Sequence, residues 1–206
     1  MPPLPAAERP AVLAELRARL AAPRVQAGRL GTGVPELDGW LGGWPSPGVT
    51  ELVGPLGSGR LSLLLPGLAA LTRRGRPVLV VDAMEAVYPP GWAGPGGGVE
   101  LAQVWMVRPG LDRAGWVAEQ AVAAGSVDAV VLLDAPRLGR QALRLARACE
   151  RGGSALFVVA EEAEAELPAA LRLQVGGFEA GRVRVTCTRS RDGRQLGERR
   201  VHLAAG

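Results

Sequence analysis

The chain has 206 residues, which is enough for one α/β domain with a substantial core and too few for two comfortable domains. Hydrophobic residues make up 48% of it and aromatic residues only 4%, so we expect a core of valine, leucine and alanine. No apolar run of about 18 residues occurs, and the first residues lack the basic and apolar regions of a secretion signal. These features argue against a membrane protein and favour the cytoplasm.

The charge and the cysteines leave the chemistry open. All 24 basic residues are arginine, and the formal net charge is +4. A basic balance favours encounters with nucleic acid, but an arginine-rich composition is also typical of a GC-rich genome. Cys149 and Cys187 lie far apart and His202 is the single histidine, so no metal site is predicted.

Residues 1–27 are predicted to be separate from the core domain, which is assigned to residues 28–206. They comprise a proline-rich segment and an amphipathic helix over residues 7–21. The apolar face of this helix carries Leu13, Leu16 and Leu20. Periodicity alone does not decide whether that face binds a partner or covers the chain's own core.

From residue 49 onwards, apolar strands alternate with helices. Strands are predicted at residues 49–53, 77–81, 104–107, 129–133 and 155–159, and helices at residues 61–72, 112–124 and 138–150. Pro66 is expected to kink or split the first of these helices. Because the strands are continuously apolar, the pattern predicts an α/β fold whose mostly parallel central sheet is flanked by helices.

The pattern changes after residue 168. Apolar and polar residues alternate over 171–175 and 183–187, and Asp192-Gly193 is a hairpin turn signal. A last strand is predicted within 196–203. Residues 169–204 are therefore predicted to form a C-terminal antiparallel β-meander with one face in water.

The segment Gly54-Pro55-Leu56-Gly57-Ser58-Gly59-Arg60-Leu61 resembles a P-loop, G-x-x-x-x-G-K-[ST], between a strand and a helix. Its glycines suit a backbone cradle for an anion. Arg60 stands at the lysine position, however, and Leu61 stands where a hydroxyl should bind Mg²⁺. A plain glycine-rich turn is the alternative. The predicted degenerate nucleotide site comprises Gly54, Gly57, Ser58, Gly59, Arg60 and Asp134.

An ordered set of motifs over residues 28–160 resembles the RecA family and, more narrowly, ImuA, the RecA-like accessory proteins of bacterial SOS mutagenesis cassettes. The matching segments are residues 30–38, 41–43, 54–61, 80–83 and 109–138, including a Walker B-type strand that ends at Asp134. The resemblance implies a RecA-like P-loop fold.

Several departures from the RecA pattern affect different steps of ATP chemistry. Met84 stands at the position of the catalytic glutamate, with Glu85 displaced by one residue, and Ala160 stands at that of the switch glutamine. The segment that follows Ala160 is acidic, which disfavours DNA binding there. We therefore predict that the chain is not an enzyme and has no cofactor, and that its binding of ATP and Mg²⁺ is disfavoured.

The ImuA resemblance implies a function through partners. These are RecA, the inactive polymerase-like protein ImuB and an error-prone polymerase assembly. Leu13, Leu16 and Leu20 are predicted to contact RecA. The alternative is an ATP-binding or weakly hydrolysing DNA-repair protein that binds DNA through arginine-rich surfaces. The candidate DNA-binding residues, which also fit a solvated helix face, are Arg140, Arg144, Arg147 and Arg151.

Overall fold

A computed structural model of the chain describes residues 28–94, 97–134, 136–193 and 196–203. Its main feature is an eight-stranded sheet flanked by helices, with a small two-stranded ribbon beside it. The predicted N-terminal segment, residues 1–27, lies outside the described residues.

The described elements follow one another in an α/β order. The ribbon consists of β1 (Gly28–Leu30) and β2 (Trp44–Ser46). The remaining strands are β3 (Gly48–Val53), β4 (Val78–Asp82), β5 (Val104–Val107), β6 (Ala129–Leu133), β7 (Ala155–Ala160), β8 (Leu171–Glu179), β9 (Arg182–Ser190) and β10 (Glu198–His202). The helices are α1 (Pro35–Leu41), α2 (Leu65–Thr72), α3 (Ala114–Ala124) and α4 (Gln141–Gly152).

The main sheet has the strand order β10-β9-β8-β3-β7-β6-β4-β5. The pairs β8–β3, β3–β7, β7–β6, β6–β4 and β4–β5 are parallel. Strand β9 pairs antiparallel with both β8 and β10. The predicted α/β class, with a mostly parallel sheet and an antiparallel C-terminal extension, is confirmed. The predicted meander joins the sheet through β8, which is parallel to β3.

Both faces of the parallel sheet are buried. In β6, Val130 packs with residues of α3 and α4, while its neighbour Val131 packs on the opposite side with residues of α1 and α2. Successive strand residues point to opposite faces, so a strand covered on both faces must be apolar throughout. On the α1 and α2 side, Trp44 packs edge-to-face on Phe157 with ring centroids 5.7 Å apart.

The helix after the glycine-rich loop begins later than the sequence predicts. The regular helix α2 starts at Leu65, whereas residues 61–64 form turns. Pro66 has no N–H to donate to the carbonyl four residues earlier, so it is accommodated only in the first turn of a helix. The carbonyl of Leu61 accepts hydrogen bonds from both Leu64 and Leu65, at 2.9 and 3.2 Å.

Two further boundaries also differ. Helix α3 starts at Ala114 after a short 3-10 turn, and α4 starts at Gln141. Residues 28–46, for which the sequence analysis predicts no helix or strand, hold the ribbon and α1. In the described part of the chain, no helix is long and apolar enough to cross a membrane.

Candidate functional site

The candidate site lies at the carboxyl edge of the parallel sheet. The loop of residues 54–61 follows β3, Asp134 follows β6, and Ala160 ends β7. Because parallel strands direct their carboxyl ends to the same edge, segments distant in sequence meet there. Open α/β sheets bind ligands at this edge.

Arg60 and Asp134 form an ion pair at this edge. The Arg60 Nη1 atom donates to Asp134 Oδ1 at 2.9 Å, and the Arg60 side chain is only 5% exposed. Asp134 has a left-handed φ of 38°, and its N–H donates to the carbonyl of Val159 at 2.8 Å. The residues at the P-loop lysine position and at the end of the Walker B-type strand therefore neutralise each other.

A cavity of about 380 Å³ adjoins this pair. Gly57, Gly59, Arg60 and Asp134, four of the predicted site residues, contribute to its wall. The remaining wall is largely apolar and comprises Leu56, Leu61, Ser62, Ala86, Val87, Leu133, Val159 and Phe178. A phosphate group prefers charged and N–H donors, and the principal cation of this wall is already paired.

Two glycines of the loop are required by close packing. A Cβ atom on Gly54 would lie 2.1 Å from the carbonyl oxygen of Val175 in β8. A Cβ atom on Gly59 would lie 2.9 Å from Cγ2 of Val183 in β9. Gly57 has a left-handed φ of 76° but no neighbour within 4 Å of such an atom. The meander thus accounts for Gly54 and Gly59 without a ligand.

Ser58 points into the protein and does not line the cavity. Its side chain is buried, and its Oγ has no hydrogen-bond partner among the described residues. Its N–H donates to the carbonyl of Pro55 at 3.1 Å, which closes a turn inside the loop. One backbone donor of the predicted cradle is therefore already occupied.

The turn after β4 places the two candidate acidic residues differently. Asp82 is fully buried, and its carboxylate accepts the N–H groups of Ala86 and Val87 at 2.9 and 3.3 Å. Glu85 is 70% exposed, has a φ of 53°, and lies 3.9 Å from the guanidinium of Arg108. Neither residue lines the cavity beside Arg60.

A second cavity of about 560 Å³ lies on the other side of Asp134. Met84 and Ala160, the residues at the catalytic glutamate and switch glutamine positions, both line it. Glu161, Glu162 and Glu164 from the acidic segment line the same cavity. Apolar groups therefore occupy the positions at which the resemblance expects polar ones.

A buried carboxylate that the sequence analysis missed holds the acidic segment in place. Glu51, in the middle of β3, is fully buried and accepts hydrogen bonds from Nε of Arg172 and from the N–H of Glu164, the latter at 2.6 Å. Arg172 also donates to the carbonyl of Glu164 at 2.8 Å, and the Glu164 carboxylate accepts the N–H of Leu138 at 2.7 Å. This network joins β3, β8 and both segments that border the second cavity.

The four candidate DNA-binding arginines are exposed, as their helical spacing predicts. Arg144 donates to Glu119 of α3 at 3.0 Å and so helps to pair the two helices. Arg140, Arg147 and Arg151 form no ion pair with any residue that the structure describes. Their binding of DNA stays a prediction. The predicted partner residues Leu13, Leu16 and Leu20 lie outside the described residues.

The buried thiol of Cys149 offers no evident chemistry. Burial raises the pKa of the Cys149 thiol to about 12, so it stays protonated and unreactive. Within the described ranges, no group of three or more His, Cys, Asp or Glu residues is placed to hold a metal ion.

Comparison with known proteins finds partial matches to RecA. The chain is 30% identical to Protein RecA of Borreliella burgdorferi (strain ZS7) over 93 residues, which cover 45% of this chain and 25% of that protein. It is 31% identical to Protein RecA of Treponema pallidum (strain Nichols) over 103 residues, or 50% of this chain and 25% of that protein.

This chain is similar to RecA. The matches span about a quarter of the length of these relatives, and no protein-family model matches the chain. They support a RecA-like family, in agreement with the fold. The narrower ImuA assignment stays a prediction.

The Arg60–Asp134 pair predicts a measurable energetic coupling. Asp134→Asn and Arg60→Met should each lower the free energy of unfolding by about 2 kcal/mol, because each leaves one partner without its opposite charge. The partial exposure of Asp134 keeps this below the cost for a fully buried pair. In a double-mutant cycle, urea denaturation should give a coupling energy of about 1 to 2 kcal/mol.

The exposed pair Arg137–Glu162, whose Nη2 and Oε2 atoms lie 3.1 Å apart, is the matched control. The same cycle there should give no measurable coupling, since both side chains remain in water. Equal coupling in the two cycles would show that burial adds nothing at Arg60.

Proposed function

We propose that this chain is a RecA-like accessory protein of the DNA-damage response that does not hydrolyse ATP. The observation that carries the proposal is the ion pair between Arg60 and Asp134. It occupies the two positions from which a P-loop protein contacts phosphate and metal. The side chain of Leu61, at the third such position, has no oxygen to offer Mg²⁺.

In this proposal the chain works by binding other proteins. A RecA-like domain that does not bind and hydrolyse ATP keeps a surface like that of RecA. It lacks the nucleotide-dependent switch that would release a partner from that surface. Binding to RecA and to ImuB would modulate homologous recombination and support translesion synthesis by an error-prone polymerase assembly in the cytoplasm. The partial similarity to RecA supports a relation to RecA. ImuB and the polymerase assembly are proposed from the ImuA-like motifs alone.

A second candidate is an ATP-binding or weakly hydrolysing DNA-repair protein that binds DNA through arginine-rich surfaces. The cavity beside Gly57 and Gly59 favours it, because about 380 Å³ is within the range of small-ligand sites. In that case a bound nucleotide would have to displace Asp134 from Arg60 or share the guanidinium with it.

Nucleotide titration separates the two candidates. We expect the full-length protein to hydrolyse no ATP above a no-protein control, with or without single-stranded DNA. A fluorescent ATP analogue should bind equally weakly with and without Mg²⁺, because Leu61 supplies no metal ligand. DNA-stimulated turnover that disappears in Asp134→Ala would overturn the proposal and establish the second candidate.

A RecA binding assay tests the other half of the proposal. The full-length chain should retain purified RecA, and Leu13→Ala/Leu16→Ala/Leu20→Ala should weaken retention at least about tenfold, as expected when interface anchors are truncated. The variant Glu8→Ala/Glu15→Ala, away from the leucine face of the same predicted helix, is the control. Undiminished binding by the leucine variant would exclude that helix as the contact.

A further inference from the structure

The outer face of β8, β9 and β10 is open to solvent. On this side of the sheet, α3 packs on β4 and β6, and α4 packs on β3. Val183, Val185 and Val201 point to the opposite face, where they are buried. Their neighbours along the strands, Arg182, Arg184 and Arg200, are exposed on the uncovered face.

The strand register concentrates positive charge on this face. Arg184 lies directly opposite Arg200 in the pairing of β9 with β10. Arg182 is two residues from Arg184 and so points to the same side. None of the three forms an ion pair with a described residue. Like charges placed opposite each other destabilise a sheet, so this arrangement has an energetic cost.

A glycine shapes the surface beneath these arginines. Gly176 of β8 lies opposite Arg184, and the absence of a side chain allows the guanidinium to lie across the strand. The result is a depression of about 300 Å³, hereafter the arginine trough, lined by residues 176–180 and by Arg182, Arg184 and Arg200. Glu179 lines it too, opposite Arg182, but no ion pair joins the two.

We infer that the arginine trough binds closely spaced phosphate groups. The guanidinium is a planar fork that matches phosphate oxygens in pairs, and bound phosphates would remove the repulsion between Arg184 and Arg200. The Cα atoms of Arg182 and Arg184 are about 6.6 Å apart along the strand, and Arg200 is about 5 Å across it. Such a row suits consecutive phosphates of a nucleic-acid strand or of a free polyphosphate.

The trough is separate from both sites that the RecA resemblance implies. Its arginines lie on the sheet face opposite the cavity beside Arg60, because Val183, which lies against Gly59 of that cavity's wall, points away from Arg184; Phe178 lines both. The connections after β6 and β7, which correspond to the DNA-binding loops of RecA, are short or acidic and do not contribute to it. The inference is therefore independent of the proposed function.

Binding of the full-length protein to two probes tests the inference. The probes are a fluorescent 20-nucleotide oligothymidylate and inorganic tripolyphosphate, the latter used directly and as a competitor. The trough variant is Arg182→Gln/Arg184→Gln/Arg200→Gln. Its charge-matched control is Arg73→Gln/Arg74→Gln/Arg113→Gln, three exposed arginines beside the opposite edge of the sheet. A steric variant, Gly176→Leu, fills the trough and displaces the Arg184 guanidinium from the strand without removing any arginine.

We expect the trough variant and Gly176→Leu to lose binding and the charge-matched control to keep it. If three phosphates are lost, the slope of log affinity against log salt falls by about 2, since each contributes roughly 0.7 on a single strand. The affinity ratio between the unsubstituted protein and the trough variant should then shrink roughly twentyfold between 50 and 200 mM salt. Tripolyphosphate should displace the oligothymidylate at concentrations near its own dissociation constant. That result would show that both probes occupy the trough and that a free polyphosphate is also a ligand for it.

Thermal unfolding separates loss of binding from loss of fold. Removal of the Arg184–Arg200 repulsion should leave the Tm of the trough variant unchanged or raise it, and Arg184→Glu should raise it further by creating a cross-strand ion pair. Arg184→Glu should also abolish binding. The inference is overturned if neither probe binds, if the charge-matched control loses as much affinity as the trough variant, or if Gly176→Leu binds normally.

Discussion

Replacing Gly54 by alanine should lower the free energy of unfolding by about 3 kcal/mol or more, the upper range for an overpacked site. The added Cβ atom would lie 2.1 Å from the Val175 carbonyl oxygen and 3.0 Å from Oγ of Ser58. The carbonyl is part of the backbone of β8 and has no rotamer to change. The clash is relieved only if the loop and β8 move apart, which strains the pairing of β3 with β8.

Gly57→Ala is the matched control in the same loop. Its Cβ atom would meet nothing within 4 Å, although its φ of 76° costs a non-glycine residue roughly 1 to 2 kcal/mol. Urea denaturation of the full-length proteins, without nucleotide, should therefore show a clearly larger loss for Gly54→Ala. Equal losses would mean that packing against β8 does not explain why residue 54 is glycine. Phosphate binding by the loop would then again be a candidate explanation.

The parallel sheet was predictable because both of its faces are buried. Burial on two sides makes β4, β6 and β7 continuously apolar, and the glycine and proline residues between elements mark the turns. In the meander, only one face is buried, so Val183 and Val185 alternate with arginines. Each pattern identifies its strands, and together they indicate the fold class.

Short elements and exact helix starts were not predictable in the same way. The strands β1 and β2 have three residues each, too few for a periodicity, and their pairing depends on residues 14 to 18 positions apart. Helix α1 has only seven residues and is followed directly by Gly42 and Gly43, so the sequence of this segment resembles a loop. The delayed start of α2 does follow from Pro66, whose effect on the local backbone is known in advance.

The site was predictable residue by residue but not as an arrangement. The sequence marks Arg60 and Leu61 as departures from a P-loop and Asp134 as the end of an apolar strand. That Arg60 donates to Asp134 depends on the order of β3, β7 and β6, which the sequence does not specify. The contact of Gly54 with Val175 likewise requires β8 beside β3. Glu51 did carry a signal, since it is the one charged residue in an otherwise apolar strand.

Replacing Glu51 by glutamine should lower the free energy of unfolding by about 3 kcal/mol, near the lower end for breaking a buried ion pair. Arg172, which is 18% exposed, would lose its carboxylate partner inside the protein. The glutamine side chain ends in one carbonyl oxygen and one NH2 group. The NH2 group would face either the Arg172 guanidinium or the N–H of Glu164, which are both donors.

Glu150→Gln provides the comparison, because it breaks the ion pair with Arg191 at 3.4 Å, in which both side chains are about half exposed. Water screens that pair, so the loss should stay below about 1 kcal/mol. The double variant Glu51→Gln/Arg172→Met should recover part of the stability that Glu51→Gln loses, since no unpaired charge remains. If the double variant were as unstable as the sum of its parts, the charges of Glu51 and Arg172 would act independently.

Hydrogen exchange locates the consequence of losing Glu51. The N–H of Glu164 donates to the Glu51 carboxylate, and the Glu164 carboxylate in turn accepts the N–H of Leu138. Both N–H groups should therefore exchange faster in Glu51→Gln than in Glu150→Gln, while those in the centre of β6 follow only the global stability. Such a pattern would show that one buried carboxylate in β3 fixes both segments that border the second cavity, at the edge where the Arg60–Asp134 pair lies.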